Sequence, residues 1–140
     1  MVKKRNAVLA LLTSLGLMLY SSCSQKKTEL AWNQSLYNVG TQSSPRTSDL
    51  NGDGILDIVI GAGKEELGSV PNGIMALDGA TGQLLWEQAA DAHMIGAATF
   101  YDINDDGVED VFIGGRNHNL KALNGKSGEV IWAYEFADST

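Results

Sequence analysis

The chain has 140 residues, 44% of them hydrophobic, with 17 acidic against 10 basic residues and a formal net charge of −7. That length allows one small domain, and the acidic balance argues against a nucleic-acid partner, because phosphate needs clustered Lys and Arg. A single cysteine excludes an intrachain disulfide.

The first segment stands apart from the rest. "MVKKRN" brings Lys3, Lys4 and Arg5 before an apolar run over residues 7–20, and small residues follow in "SSC". Basic start, apolar middle and small-residue end predict a secretory signal over residues 1–22. The apolar run is too short to serve comfortably as a permanent membrane-spanning helix. Cys23 follows directly, an arrangement that resembles the lipobox of bacterial lipoproteins, although Tyr20 stands where that family usually has leucine. The resemblance implies lipidation of Cys23 and an N-terminal lipid anchor in the membrane. It also implies a place in the bacterial cell envelope, as an outer-membrane lipoprotein facing the periplasm or the surface. Residues 23–29 read as the lipidated cysteine and a polar tether. Removal of residues 1–22 takes three of the ten basic residues and none of the acids, leaving seven against 17 and a net charge of −10.

From residue 30 onward the chain repeats. "SDLNGDGILDIVIGAG" (48–63) recurs as "YDINDDGVEDVFIGGR" (101–116), 53 residues later. "IMALDGATGQLLWEQ" (74–88) recurs as "LKALNGKSGEVIWAY" (120–134), 46 residues later, and "KEELGSVP" (64–71) accounts for the difference as an insertion in the first copy. "LAWNQ" (30–34) places Trp32 like Trp86 and Trp132, as the tail of a preceding copy. Residues 30–140 therefore divide into units of about 30–88 and 89–140. In the second unit, strands are predicted over 96–101, 109–115, 119–125 and 129–136, from their Val, Ile, Phe and Trp content and the Asn-Gly turn signal. No sustained helical period appears. The expectation is an all-β chain of two four-stranded antiparallel sheets, and four strands per unit with a fixed aromatic resemble β-propeller blades. Two blades do not close a ring, so an N-terminal fragment of a longer propeller is expected ahead of a ring of several copies or a small sandwich.

Each unit opens with an acidic loop of pattern D-x-N-x-D-G-x-x-D. The first holds Asp49, Asn51, Asp53, Gly54 and Asp57, the second Asp102, Asn104, Asp106, Gly107 and Asp110. Calcium takes six to eight hard oxygens from carboxylates, amides and backbone carbonyls. Positions 1, 3 and 5 converge when such a loop curls, and position 7, Ile55 or Val108, offers its carbonyl. Position 9 is expected to add Asp57 or Asp110. Zinc would need His or Cys, which neither loop has. The EF-hand requires Glu at position 12, where this chain has Ile60 and Ile113. The loops instead resemble the strand-flanked calcium loops of integrin-α-like propellers, the FG-GAP (VCBS-type) repeat family. That resemblance implies two Ca2+ sites that hold blades together; the second loop's extra acids, Asp105 and Glu109, are expected to make it bind more tightly.

The second motif is A-L-[DN]-G-x-[ST]-G-x-x-[LI]-W, at 76–86 and 122–132. It resembles the tryptophan-docking repeat of quinoprotein-like (PQQ-like) propellers. Asp-Gly or Asn-Gly and Thr-Gly or Ser-Gly build the turn, and Trp32, Trp86 and Trp132 are expected to pack blade on blade. His93 and His118 have no partner at catalytic spacing, so no catalytic residue is assigned. The expected role is a non-catalytic calcium-binding propeller lipoprotein presenting loops to a protein or glycan partner. The alternative is the N-terminal part of a propeller enzyme, a polysaccharide hydrolase or lyase or a quinoprotein.

Overall fold

The computed structural model describes residues 30–37, 39–63, 67–116 and 119–136. The predicted signal, Cys23 and its tether, and His118 lie outside the described residues. Eight strands and no helix are found among the described residues.

In chain order the strands are β1 (Arg46–Ser48), β2 (Asp57–Gly61), β3 (Leu67–Leu77), β4 (Leu84–Ala92), β5 (Thr99–Tyr101), β6 (Asp110–Gly114), β7 (Asn119–Leu123) and β8 (Val130–Glu135). They form two four-stranded sheets, ordered β1-β2-β3-β4 and β5-β6-β7-β8. All neighbours are antiparallel. Each repeat is thus one four-stranded meander, the architecture of a propeller blade.

The predicted strands of the second unit are all present, with trimmed ends. The largest trim is at the entry, where β5 begins at Thr99 and not at Gly96. Gly96 still donates its N–H to the Gly114 carbonyl at 2.9 Å, while its own carbonyl accepts the Ser43 hydroxyl at 2.8 Å. Those bonds tie the entry to both units instead of extending the β5–β6 ladder.

The seven-residue difference between the units is taken up largely within a strand. β3 is 11 residues long where its counterpart β7 has five. Its register against β4 shifts twice between Leu67 and Ile74, so bulges absorb the extra residues. Pro71 lies in that shifted stretch, where a missing ladder donor is tolerated.

The apolar core bridges the two sheets. Val59, Ile74, Ala76, Trp86 and Ala90 of the first cluster with Met94, Ala98, Val111, Ile113 and Leu123. Single blades expose both sheet faces, and stacking is what removes them from water. Alternation places Val59, Ala76 and Trp86 on one face of the first blade, paired across the strands. The same register in the second blade lines up Phe112, Ala122 and Trp132.

Tryptophan fixes how one blade meets the next. The Trp86 indole N–H donates to the Gly125 carbonyl at 2.7 Å, and its ring lies over Gly128, where an added Cβ would come within 2.6 Å of the indole. Gly128 also has φ of 74°, a conformation that disfavours other residues. Trp32 repeats the contact one unit earlier, donating to the Gly79 carbonyl at 2.9 Å and covering Gly82, again at φ 74°. The motif glycines are therefore the seats of Trp32 and Trp86. Trp132 is 39% exposed and stacks at a tilt on Phe112 of its own sheet, with centroids 5.9 Å apart.

Candidate metal centres

Both acidic loops connect the first and second strands of their blades, β1 to β2 and β5 to β6. In the first, the Asp49 carboxylate accepts the N–H groups of Gly52 and Gly54 at 2.7 and 2.9 Å. Asn51 Oδ1 accepts Asp53 N–H at 2.9 Å, and Asp53 Oδ1 accepts Ile55 N–H at 2.7 Å. The chain curls because its own side chains take up its backbone donors. Gly52 and Gly54 have φ of 78° and 84°.

The second loop repeats this geometry. Asp102 accepts Asp106 and Gly107 N–H, Asn104 accepts Asp106 N–H, and Asp106 accepts Val108 N–H at 3.0 Å. Asp105 stands at the place of Gly52 with φ of 58°. Aspartate is among the few non-glycine residues that occupy the left-handed region readily.

Asp57 and Asp110, expected as ninth-position ligands, close the loops where the second strands begin. Each is the first residue of its strand and is fully buried. Asp57 accepts Leu50 N–H at 2.8 Å through one oxygen and Gly79 N–H at 2.9 Å through the other. Asp110 does the same for Ile103 and Gly125, at 3.0 and 3.1 Å. A buried carboxylate must be satisfied internally; Asp57 takes backbone N–H groups, and Asp110 Oδ1 also accepts the Asn104 amide of its own loop at 3.5 Å. Their task is to tie each acidic loop to the turn that seats a tryptophan. The N–H of Gly125 goes to Asp110 while its C=O goes to Trp86. Gly79 is held in the same double way by Asp57 and Trp32.

Two residues assigned only to turns reach the loops. Asp78 Oδ2 accepts the Asn51 amide at 3.1 Å, and the Asn124 amide donates to Asp106 Oδ2 at 3.1 Å. Their signal in the sequence is the shared [DN] of the second motif, which recurs in step with the loops. Asp78 is held below the ordinary carboxylate value, first by the Thr81 hydroxyl and then by Thr81 N–H. Asp106 is lowered by Val108 N–H and then by the Asn124 amide. Glu109, expected to strengthen the second loop, instead accepts the Ser48 hydroxyl of the first blade at 2.6 Å.

Each loop thus gathers two carboxylates and one amide oxygen around its own backbone N–H groups, all hard oxygen donors. Among the described residues no three His, Cys, Asp or Glu side chains converge as a metal-binding group. This donor set is oxygen throughout and suits calcium, with water completing the shell. His93 is buried between the blades against Gly63, and its Nε2 has no hydrogen-bond partner, nor has Asn119 Oδ1.

A comparison with curated proteins found no match. Among solved structures the chain is similar to BamB from Moraxella catarrhalis, at 22% identity and a TM-score of 0.39. That similarity covers 57% of this chain and 21% of the other, so the chain spans about a fifth of that protein. Residues 41–72 match the model of the FG-GAP repeat, a segment that holds β1, the first acidic loop and β2.

Proposed function

We propose that the chain is the calcium-stapled, non-catalytic propeller portion of a bacterial cell-envelope lipoprotein, presenting loops to a protein or glycan partner. The observation that carries the calcium reading is the duplicated loop. Two segments 53 residues apart fold alike, with the oxygens of positions 1, 3 and 5 drawn into one small curl. Asp49, Asn51, Asp53 and the Ile55 carbonyl would hold one ion. Asp102, Asn104, Asp106 and the Val108 carbonyl would hold the other. A bound cation supplies charge neutralisation, which an isolated pair of carboxylates in one turn otherwise lacks.

The envelope part of the reading rests on the sequence before residue 30, with Cys23 directly after the apolar run. The non-catalytic part rests on the two buried acids, Asp57 and Asp110, being closed off from solvent and engaged by N–H donors on both oxygens.

The test is thermal melting with and without calcium. Calcium is expected to raise the melting temperature of the intact chain, and the double substitution Asp53→Ala, Asp106→Ala to remove the rise. An intact chain that melts identically in calcium and in EDTA sinks the reading. Extracellular calcium modules bind at about 10⁻⁴–10⁻³ M, so millimolar calcium is the range to use.

A further inference from the structure

We infer that Asp78 and Asn124 are positioning residues for the acidic loops, through which the second motif sets the cation affinity of the first. The inference rests on the reading of those loops as calcium sites.

The contacts have opposite polarity and are matched in each blade. Asp78 Oδ1 is occupied by Thr81, whose N–H and hydroxyl donate at 2.7 and 2.8 Å. Its Oδ2 is left to accept the Nδ2 of Asn51 at 3.1 Å. An amide has one donor end and one acceptor end. Nδ2 also reaches Asp53 Oδ2 at the longer distance of 3.5 Å, and with that end engaged by the two carboxylates Oδ1 accepts Asp53 N–H. Rotated by half a turn, the same amide would present N–H groups to a cation.

Asn124 solves the reverse problem. Its Oδ1 is taken by Lys126 N–H, Ser127 N–H and the Ser127 hydroxyl. Only Nδ2 remains, and it donates to Asp106 Oδ2. The opposite oxygen, Oδ1, accepts Val108 N–H, so the carboxylate is pinned from both sides. An anion grips an amide in the first blade, and an amide grips an anion in the second. The residue choice at 78 and 124 follows the ligand each must hold. Outer partners that orient metal ligands typically change affinity by about 10–100-fold when removed.

The test is calcium titration calorimetry on the full chain carrying Asp102→Ala, which leaves the first loop alone to bind. Asp78→Asn puts two amide donors face to face and is expected to weaken calcium binding about tenfold. Adding Asn51→Asp restores a donor–acceptor pair with exchanged polarity, and binding is expected to recover. Melting in EDTA is expected to differ little among the three. No calcium uptake before Asp78 is changed overturns the calcium reading and this inference together. Uptake that Asp78→Asn leaves unchanged overturns the inference alone. Weakening that Asn51→Asp fails to restore, or that comes with an equal loss of melting temperature in EDTA, marks a purely structural residue and also overturns it.

Discussion

The two blades carry the same loop, the same turn and the same tryptophan, yet their outer strands live in different surroundings. β4 alternates between buried and exposed residues, and Trp86 is only 7% exposed. β8 is exposed at every position, with Trp132 at 39%. The position of Val59 in the first sheet, fully buried, corresponds to Phe112 in the second, which is half-buried. What differs is the neighbour. Trp86 sits on Gly125 and Gly128 of the following blade. A repeat acquires much of its core from the unit beside it, so identical motifs should have unequal energetic weight.

Alanine at the two tryptophans gives the sharpest break. Trp86→Ala empties a buried site and leaves the Gly125 carbonyl unpaired, a loss of about 3–5 kcal/mol. Trp132→Ala removes a more exposed ring that stacks on Phe112 and should cost less, about 0.5–1.5 kcal/mol. For a domain of this size each kcal/mol shifts the melting temperature by about 4–8 °C, so calorimetry separates the cases. Equal losses at both positions would overturn the comparison.

The clamp on the turn glycine is the next step down. Asp110→Ala strands the N–H groups of Ile103 and Gly125 and is expected to cost about 1–3 kcal/mol or more. Because Gly125 also receives Trp86, indole emission should move to longer wavelength at temperatures where the chain is still folded. Asp57→Ala should cost as much but report through Trp32, since Gly79 holds that ring. With Trp32 and Trp132 replaced by Phe, only Trp86 emits. In that background Asp110→Ala should shift the emission and Asp57→Ala should not. A shift from Asp57→Ala of the same size would show that the clamps are not separate.

Much of this was legible from repetition. Aligning 48–63 with 101–116 locates the acidic loops, and the recurring Trp fixes the outer strands. The task of Asp57 was hidden by a competing period. The D-x-N-x-D-G-x-x-D spacing groups it with the loop, while two-residue alternation groups it with Val59 on the inward face of β2. The strand period prevails because β2 starts at that residue. Asp78 and Asn124 were readable only as turn formers, since their contacts with Asn51 and Asp106 bridge 27 and 18 positions. No local pattern encodes such a reach. Glu109 illustrates the same gap. Its charge suggested a stronger second loop, and only the stacking of the blades reveals that it faces Ser48.

The smallest expected effect distinguishes the loops by acid. Asp106 and Asp78 both titrate below their ordinary value of 3.8 when folded, because N–H and O–H donors favour their charged forms. A carboxylate lowered on folding adds stability above its unfolded pKa and loses it as the pH falls through the folded one. In EDTA, stability should therefore be level near neutrality with respect to these groups and decline below about pH 4. Both side chains lie at the surface, where such contributions are small. Asp106→Asn should flatten part of the decline, and so should Asp78→Asn, since neither asparagine has a charge to lose. The comparison sharpens with the partner of each acid. Asp106 leans partly on Asn124, so Asn124→Ala should bring its titration back toward 3.8, while Asp78, held chiefly by Thr81, should respond to Thr81→Ala instead. Carboxyl shifts followed by NMR against pH read both. If Asn124→Ala leaves the Asp106 titration where it was, the 3.1 Å contact between them carries no electrostatic weight.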